Sequence, residues 1–428
     1  MSGKTRRDLL IGFGSQLAFK GLGFVTLAVM ARNLSQADYG KLMFALTLCG
    51  VTVLATDLGA STDLVRRVAA DPAGARRRLG RVLSARGPLI AAYLVLICAW
   101  AALTKPDALA VIAAIAVYSV LKDLYRSYAS LFLGLHHVEY SVAAYGIKLL
   151  FLVIAVTAGA AVDGGLAWMT GAHVASGVIL LVVAALIART RVGPVRLRPP
   201  GRLMRRVFAQ SIWLFGASIM GSAHLGAGTL ILGYRAPYQQ VAVYEAAARL
   251  LEASQFMVRP LTLILFPVSA VLASRRDWSE LRRLMHRMFG GIILVGIAAW
   301  GVVSAIASPL IRVVYTGSYD ESAAILRILY LSVPGLYAAT VAVFVASSLN
   351  RERAAVMIVG SGVALNVGIN LMVVPRIGAT GAAWATVASQ TLTALALMAY
   401  TYRGVAAAPA EVPVHAPPMV PEMELGGD

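Results

Sequence analysis

The sequence predicts an all-α membrane protein with twelve transmembrane helices. Of its 428 residues, 59% are hydrophobic and only 14% are charged, whereas soluble domains have about 25% charged residues. Apolar segments of about 20 residues, enough to span a bilayer, recur along the whole chain. Basic residues collect in alternate loops between these segments, which is the pattern that orients membrane helices.

The predicted spans form two sets of six. They cover residues 9–31, 40–61, 82–103, 108–134, 140–160 and 165–188 in the first set, and 207–233, 240–272, 289–311, 323–349, 354–374 and 378–402 in the second. An Arg-rich segment separates the two sets. We therefore predict an N-terminal lobe (1–188), a cytoplasmic basic linker (189–206), a C-terminal lobe (207–403) and a disordered cytoplasmic tail (404–428), since this tail is rich in Pro and Ala.

The distribution of charge predicts the orientation. Of the 38 Lys and Arg residues, 24 lie in loops on one side, six in loops on the other side and eight within spans. The basic side is expected to be cytoplasmic. We therefore predict a protein of the bacterial inner membrane with both termini in the cytoplasm. The net charge of +18 does not indicate a nucleic-acid partner, because the Arg residues lie in short loops next to the membrane. The segment 278–288 is predicted to be an amphipathic helix on the inner surface.

Basic residues inside the apolar spans indicate a functional site. A central Lys or Arg costs about 2.5–3.5 kcal/mol to insert, so such residues are expected to face the protein interior. Arg86 lies at the edge of a span. The seven others are Lys20, Lys122, Arg126, Lys148, Arg249, Arg259 and Arg327.

Two helices have narrow polar faces. At 100° per residue, Tyr118, Lys122, Tyr125 and Arg126 lie on one face of the fourth span. One face of the eighth span contains Glu245, Arg249, Glu252 and Arg259. A cavity lined by cations and tyrosines suits an anionic substrate that has sugars, because cations attract phosphate. Asp123, Glu245 and Glu252 are the candidates for coupling to a proton or sodium gradient.

Several of these residues are also compatible with a purely structural role. Glu245–Arg249 and Arg249–Glu252 have the spacing of ion pairs within a helix. Arg327 lies near a helix end, from which its side chain can reach the membrane surface. Asp57, near the end of the second span, suits a capping or loop role, and Pro260 and Pro267 are expected to kink the eighth span.

Motifs of enzyme chemistry are missing from the sequence. It has no HExxH, P-loop or GxSxG motif. Cys49 and Cys98 lie in different spans, where thiols are usually packing residues. We therefore expect a protein that is not an enzyme, with no cofactor, no metal site and no disulfide.

Five segments along the chain have a recognisable pattern: ARNLSQADYGKLMFAL, TDLGASTDLVRRVA, LILFPVSAVLA, VVYTGSYDESAAILRILYLSVPG and NLMVVPRIGATGAAWATVASQ. They resemble the polysaccharide biosynthesis (oligosaccharide flippase) family of the multidrug/oligosaccharidyl-lipid/polysaccharide exporter superfamily. The resemblance implies two six-helix lobes around a central cavity. It also implies translocation of an undecaprenyl-pyrophosphate-linked oligosaccharide for surface polysaccharide, with Lys20, Lys122, Arg126, Lys148 and Arg249 as candidates for the cationic interior. The expected partners are this lipid-linked oligosaccharide, membrane lipids, and glycan polymerases and glycosyltransferases.

Two other functions are compatible with the sequence. A drug or cation antiporter of the same superfamily would be expected to have more acids than cations in its cavity. A scaffold of a glycan-assembly complex that does not transport would need no central charge.

Overall fold

The computed structural model describes residues 3–197, 226–255, 259–315, 317–349 and 351–406, with side chains for all of these except 3–13, 15–17, 259–264 and 266–267. In these ranges the secondary structure is helical. Most of the predicted seventh span and the predicted tail from 407 onward lie outside the described residues. The first seven helices are α1 (Gly3–Asn33), α2 (Gln36–Thr52), α3 (Ala60–Ala70), α4 (Ala75–Thr104), α5 (Leu109–Gly134), α6 (Val138–Ala161) and α7 (Gly165–Arg191).

The second part of the chain continues with a helical segment, α8, described for residues 226–235. The helices that follow it are α9 (Tyr238–Ser254), α10 (Arg259–Ser274), α11 (Trp278–Val314), α12 (Glu321–Tyr330), α13 (Val333–Ser348) and α14 (Glu352–Ala406). Non-helical backbone at Ile377 and Gly378 divides α14 into two parts.

The chain is a multi-pass membrane protein. Within the described residues, eight helical segments are long and apolar enough to cross a membrane. One of them, α14, has 55 residues, which would measure about 80 Å if straight, against about 30 Å for the hydrocarbon core. The bend at Gly378 therefore lets its two parts serve as separate spans. The count of twelve spans remains a prediction.

Two helical features differ from the sequence-based predictions. Residues 60–70, expected to join the end of a span to a loop, form the separate helix α3. Its buried residues Ala60, Leu64 and Val68 recur every four residues and pack into one apolar cluster. α3 is therefore a short amphipathic helix. Residues 278–288, predicted to be an amphipathic helix on the inner surface, are helical, but they continue directly into the predicted ninth span as the first turns of α11.

The predicted eighth span is described as two helices, α9 and α10, and residues 256–258 between them lie outside the described residues. Pro260 is the second residue of α10, where a helix tolerates proline because the first backbone N–H groups have no partner within the helix. The position of Pro260 is therefore compatible with a helix start, and the kinks expected at Pro260 and Pro267 stay predictions.

The helices pack mainly within two sets, α1–α7 and α9–α14. In the first set α5 contacts α2, α3, α4 and α7, and α6 packs between α1 and α7. In the second set α13 contacts α10, α11 and α14, and α12 packs on α9 and α11. The main contact between the sets is that of α2 against α9, so α2 connects them.

Candidate functional site

Two lysines from different helices flank one tyrosine in the first set of helices. Lys148 on α6 is buried, with 3% exposure, and its Nζ lies 3.2 Å from the hydroxyl of Tyr118 on α5. The same Nζ lies 5.4 Å from the ring centroids of both Tyr118 and Tyr145. Lys122 approaches the Tyr118 ring at 5.9 Å. We call Tyr118, Lys122, Tyr145 and Lys148 the lysine–tyrosine cluster.

No carboxylate of the described residues forms an ion pair with the two lysines of this cluster. The acid nearest to Lys122 in sequence is Asp123, which is paired with Arg86 and Arg126. Contacts with the aromatic rings contribute about 0.5–2 kcal/mol each, which does not neutralise the charge. The cluster therefore presents positive charge without a matching acid, as an anion-binding site requires.

Neighbouring aromatic groups hold the cluster in place. Tyr118 packs edge-on against His173 of α7, with ring centroids 5.3 Å apart, and the buried ring of His173 is held by its contact with the carbonyl of Met169 at 2.8 Å. Phe19 of α1 packs against Tyr145 at 5.2 Å. The next residue on α1, Lys20, is exposed, so a third basic residue follows directly on a side chain that contacts the cluster.

The remaining predicted residues of α5 have mixed environments. The hydroxyl of Tyr125 donates to the carbonyl of Ser141 at 2.9 Å, so this buried tyrosine links α5 to α6. Arg126 is half exposed and lies 3.5 Å from Asp123. Tyr125 therefore has a structural contact, whereas Arg126 keeps part of its guanidinium open to the surroundings.

A buried ion-pair network lies beside the cluster, between α4 and α5. Arg86, completely buried, pairs with Asp57 at 3.3 Å and with Asp123. Its guanidinium also donates to the hydroxyl of Ser127 at 2.6 Å and to the carbonyl of Thr56 at 3.2 Å. We call these residues the Arg86 network. Because two acids face Arg86, and Arg126 lies beside Asp123, the four charges balance.

Asp57 also has the loop role expected from the sequence. Its Oδ1 accepts from the backbone N–H of Ser61 at 3.2 Å and from the hydroxyl of Ser61 at 2.6 Å. Leu58 and Gly59 between them have positive φ angles of 44° and 80°, and the turn starts α3. A capping contact and the buried ion pair thus share one carboxylate.

The second set of helices contains an acid-rich group. Arg249 on α9 lies 2.9 Å from Glu245 and 3.1 Å from Glu252, and Thr229 donates to Glu245. The ion pairs within the helix expected from the spacing are therefore present. Since its guanidinium already faces two carboxylates, Arg249 differs from the lysines of the first set.

Three buried tyrosines lie close together in the same part of the molecule. Tyr39, Tyr315 and Tyr319 are at most 1% exposed. The hydroxyls of Tyr39 and Tyr315 interact with each other, whereas the hydroxyl of Tyr319 has no hydrogen-bond partner among the described residues. The ring centroids of Tyr39 and Tyr319 are 5.9 Å apart, and those of Tyr315 and Tyr319 are 5.4 Å apart. We call these residues the tyrosine triad. It joins α2 to the segment that follows α11.

The two sets of helices meet firmly at the triad end of the molecule. Arg32, at the end of α1, donates to the carbonyls of Val313 and Val314, and Gln36 donates to the carbonyl of Ser318. Arg32 and Val314 lie at helix ends that the sequence places on the outer side. The contact therefore closes the predicted outer end.

Helices α2 and α9 approach closely at the same end. A Cβ added to Gly40 would lie 1.9 Å from the backbone oxygen of Tyr238. Lys41 and Lys105 lie 5.6 Å and 5.5 Å from the ring of Tyr238. Only glycine fits at position 40, so the closure depends on backbone contact as well as on charge.

Two other predicted basic residues lie apart from these groups. Arg327 donates to the carbonyl of Ser304 at 3.1 Å and to the hydroxyl of Ser308 at 3.0 Å, so it fastens α12 to α11. Arg259 is the first residue of α10, and its side chain lies outside the described residues.

Comparison with known proteins places the chain in a family and a fold. A family model described as polysaccharide biosynthesis protein matches residues 6–273. No curated protein matches the chain in sequence. An inward-facing multidrug resistance MATE family transporter of the MOP superfamily superposes with a TM-score of 0.71 at 14% identity, covering 91% of this chain and 94% of that chain.

Two further solved structures share the fold. The lipid II flippase MurJ in an inward closed conformation has a TM-score of 0.72 at 11% identity, over 93% of this chain and 89% of that one. An outward-facing MATE family transporter of the MOP superfamily gives 0.58 at 13% identity, over 94% and 95%.

The fold is therefore the one shared by these solved MOP superfamily structures. Within it, the chain belongs to the polysaccharide biosynthesis protein family, because the family model matches more than half of its length. The family expected from the sequence is confirmed.

Proposed function

We propose that the protein translocates an undecaprenyl-pyrophosphate-linked oligosaccharide across a bacterial inner membrane. The observation that carries this proposal is the lysine–tyrosine cluster, in which Lys148 is buried with no acid paired to it among the described residues. A buried cation of this kind is costly unless a ligand supplies the negative charge. Pyrophosphate supplies that charge, and the tyrosine rings beside it suit contact with sugars.

The transport mechanism we propose is alternating access. The contacts of Arg32, Gln36 and Gly40 close the predicted outer end, so the cluster would be reached from the cytoplasmic side. Substrate would enter there with its pyrophosphate at Lys122 and Lys148, with Lys20, Arg126, Arg249 and Arg259 as further basic residues of the path. Separation of α2 from α9 would then open the outer end, while the polyprenyl chain stays in lipid.

Coupling to an ion gradient is a further part of the proposal. Asp123 faces Arg86, and Glu245 and Glu252 face Arg249, so protonation of any of these acids would remove one of the two carboxylates that hold each guanidinium. Glycan polymerases and glycosyltransferases are the partners that would use or supply this cargo.

A cation antiporter is less well supported by the same contacts. An organic cation would need carboxylates that are open to it, yet Asp57 and Asp123 are both engaged by Arg86. A scaffold without transport would gain nothing from the buried Lys148.

Reconstitution of the purified protein in liposomes tests the proposed cargo. A lipid-linked oligosaccharide with a fluorescent sugar is placed in both leaflets, and a membrane-impermeant quencher then reports exchange between them. We expect exchange of the oligosaccharide lipid and no uptake of a cationic dye. Dye uptake without lipid exchange would favour the antiporter, and inactivity toward both would favour the scaffold.

A further inference from the structure

A pocket lined by arginines lies at the opposite end of the molecule from the tyrosine triad. Its volume is about 290 Å³, and it is lined by Ala73, Arg76, Arg77, Pro194 and Arg196. The first three belong to the turn before α4 and to its first turn, and the other two to the segment after α7. We call it the arginine pocket.

No acid of the described residues balances the positive charge of the arginine pocket. Arg78, the next residue, is paired with Asp71 at 2.6 Å, whereas Arg76, Arg77 and Arg196 have no ion pair among the described residues. The first turn of α4 contains no acid. Cations at this end of a helix oppose the helix dipole, so an anion in the pocket would relieve an unfavourable arrangement.

The walls of the pocket are set by backbone contacts. A Cβ at Gly80 would lie 2.1 Å from the carbonyl oxygen of Arg196, so the segment after α7 packs directly on α4. Gly193, with a φ of 109°, would place a Cβ 2.7 Å from a guanidinium nitrogen of Arg76. The two glycines therefore bring the backbone of Arg196 and the side chain of Arg76, both exposed residues, to the same pocket.

The depth of the pocket matches the phosphates of a membrane. Val82 is the first apolar residue of the predicted third span, so Arg76 lies about 9 Å before it along the helix at 1.5 Å per residue. Guanidinium groups form paired hydrogen bonds with phosphate oxygens. We infer that the arginine pocket binds a phosphate group, as presented by an anionic lipid headgroup or by free phosphate. This inference does not depend on the identity of the transported cargo.

Binding of phosphatidylglycerol to the purified protein in neutral detergent, followed by native mass spectrometry, tests this site. We expect the lipid concentration for half-occupancy to rise about tenfold in Arg76→Gln/Arg77→Gln/Arg196→Gln, because charge-assisted hydrogen bonds are lost. The variant Arg275→Gln/Arg282→Gln/Arg287→Gln removes equal charge from exposed residues of another loop and helix on the same predicted side, and should leave binding unchanged.

A second pair of variants tests the geometry at constant charge. Gly80→Ala should weaken binding because it displaces the backbone of Arg196, whereas Gly87→Ala, on the same helix with no atom within 4 Å of its Cβ, should not. Should the triple variant fail to fold, Gly80→Ala and the single variant Arg77→Gln test the same site.

The choice of probe separates the two sources of phosphate. Competition by inorganic phosphate would support a site for free phosphate, and binding of phosphatidylglycerol without such competition would support a lipid headgroup. The inference would be overturned if the Arg275/Arg282/Arg287 variant lost binding equally, if Gly80→Ala lost none, or if diacylglycerol, which has no phosphate, bound as well as phosphatidylglycerol.

Discussion

Lys148 and Tyr118 form a hydrogen bond of 3.2 Å between α6 and α5, in a place where no described carboxylate is paired with the lysine. The ammonium group is buried, and hydroxyl and ring contacts alone do not repay the loss of its hydration. The pair is therefore better suited to receive an anion than to hold two helices together.

Lys148→Met is expected to leave the protein at least as stable as the wild type. Replacing a buried charge that is paired with no acid of the described residues by an apolar side chain of similar length removes a desolvation cost. At the same time translocation should be lost, the usual trade between stability and function at a binding site. Thermal unfolding in detergent, measured beside transport in liposomes, checks both effects. A clear fall in the melting temperature would mean that Lys148 is structural.

Arg86→Met is expected to have the opposite effect on stability. It would leave Asp57 and Asp123 buried without their cation, and breaking a buried ion pair in this way costs about 3–5 kcal/mol. Adding Asp123→Asn should restore part of the loss, because the two positions interact. Additive losses in this double-mutant cycle of unfolding free energies would show that the pair contributes no coupling.

Tyr319→Phe is expected to stabilise the protein by about 1 kcal/mol, because it removes a buried hydroxyl that has no hydrogen-bond partner among the described residues. Tyr337→Phe is the matched control. Its buried hydroxyl donates to the carbonyl of Ser254 at 2.8 Å, so its removal should destabilise. The free energy of unfolding of each variant, measured in detergent, distinguishes the two cases. Changes of the same sign in both variants would contradict the account of the tyrosine triad.

Gly40→Ala is expected to open the predicted outer end, since the new Cβ would overlap the backbone of Tyr238. Cross-linking between Gln36→Cys and Ser318→Cys, in a protein with Cys49 and Cys98 replaced, reports closure of this end. The cross-link should form readily in the parent and poorly with Gly40→Ala. Gly50→Ala, on the same helix with no atom within 4 Å of its Cβ, should not change it. An unchanged yield with Gly40→Ala would show that α2 and α9 do not form the closure.

The class of fold could be predicted from the sequence, because hydrophobic length and loop charge act locally along the chain. The polar faces of α5 and α9 could also be predicted, since helical spacing alone places Tyr118 beside Lys122, and Glu245 beside Arg249. Contacts between distant helices leave no such pattern.

Arg86 shows this limit most clearly. Sequence reasoning placed it at the edge of a span, yet it is completely buried and pairs with Asp57 and Asp123. Two acids in neighbouring spans were the only available signal, and a single sequence does not show that the three residues meet. The arginine pocket could likewise not be predicted from the sequence, because it depends on the close packing of Gly80 against Arg196.

Transport by the Lys122→Gln/Lys148→Gln variant tests the central proposal most directly. In liposomes with the lipid-linked oligosaccharide, we predict exchange about tenfold slower or more than in the wild type, because two charge-assisted contacts to pyrophosphate are lost. Arg282→Gln/Arg287→Gln removes the same charge from the exposed face of α11 and should exchange the lipid at the wild-type rate. Exchange by the Lys122/Lys148 variant at the wild-type rate would contradict the proposal that these lysines hold the anionic headgroup.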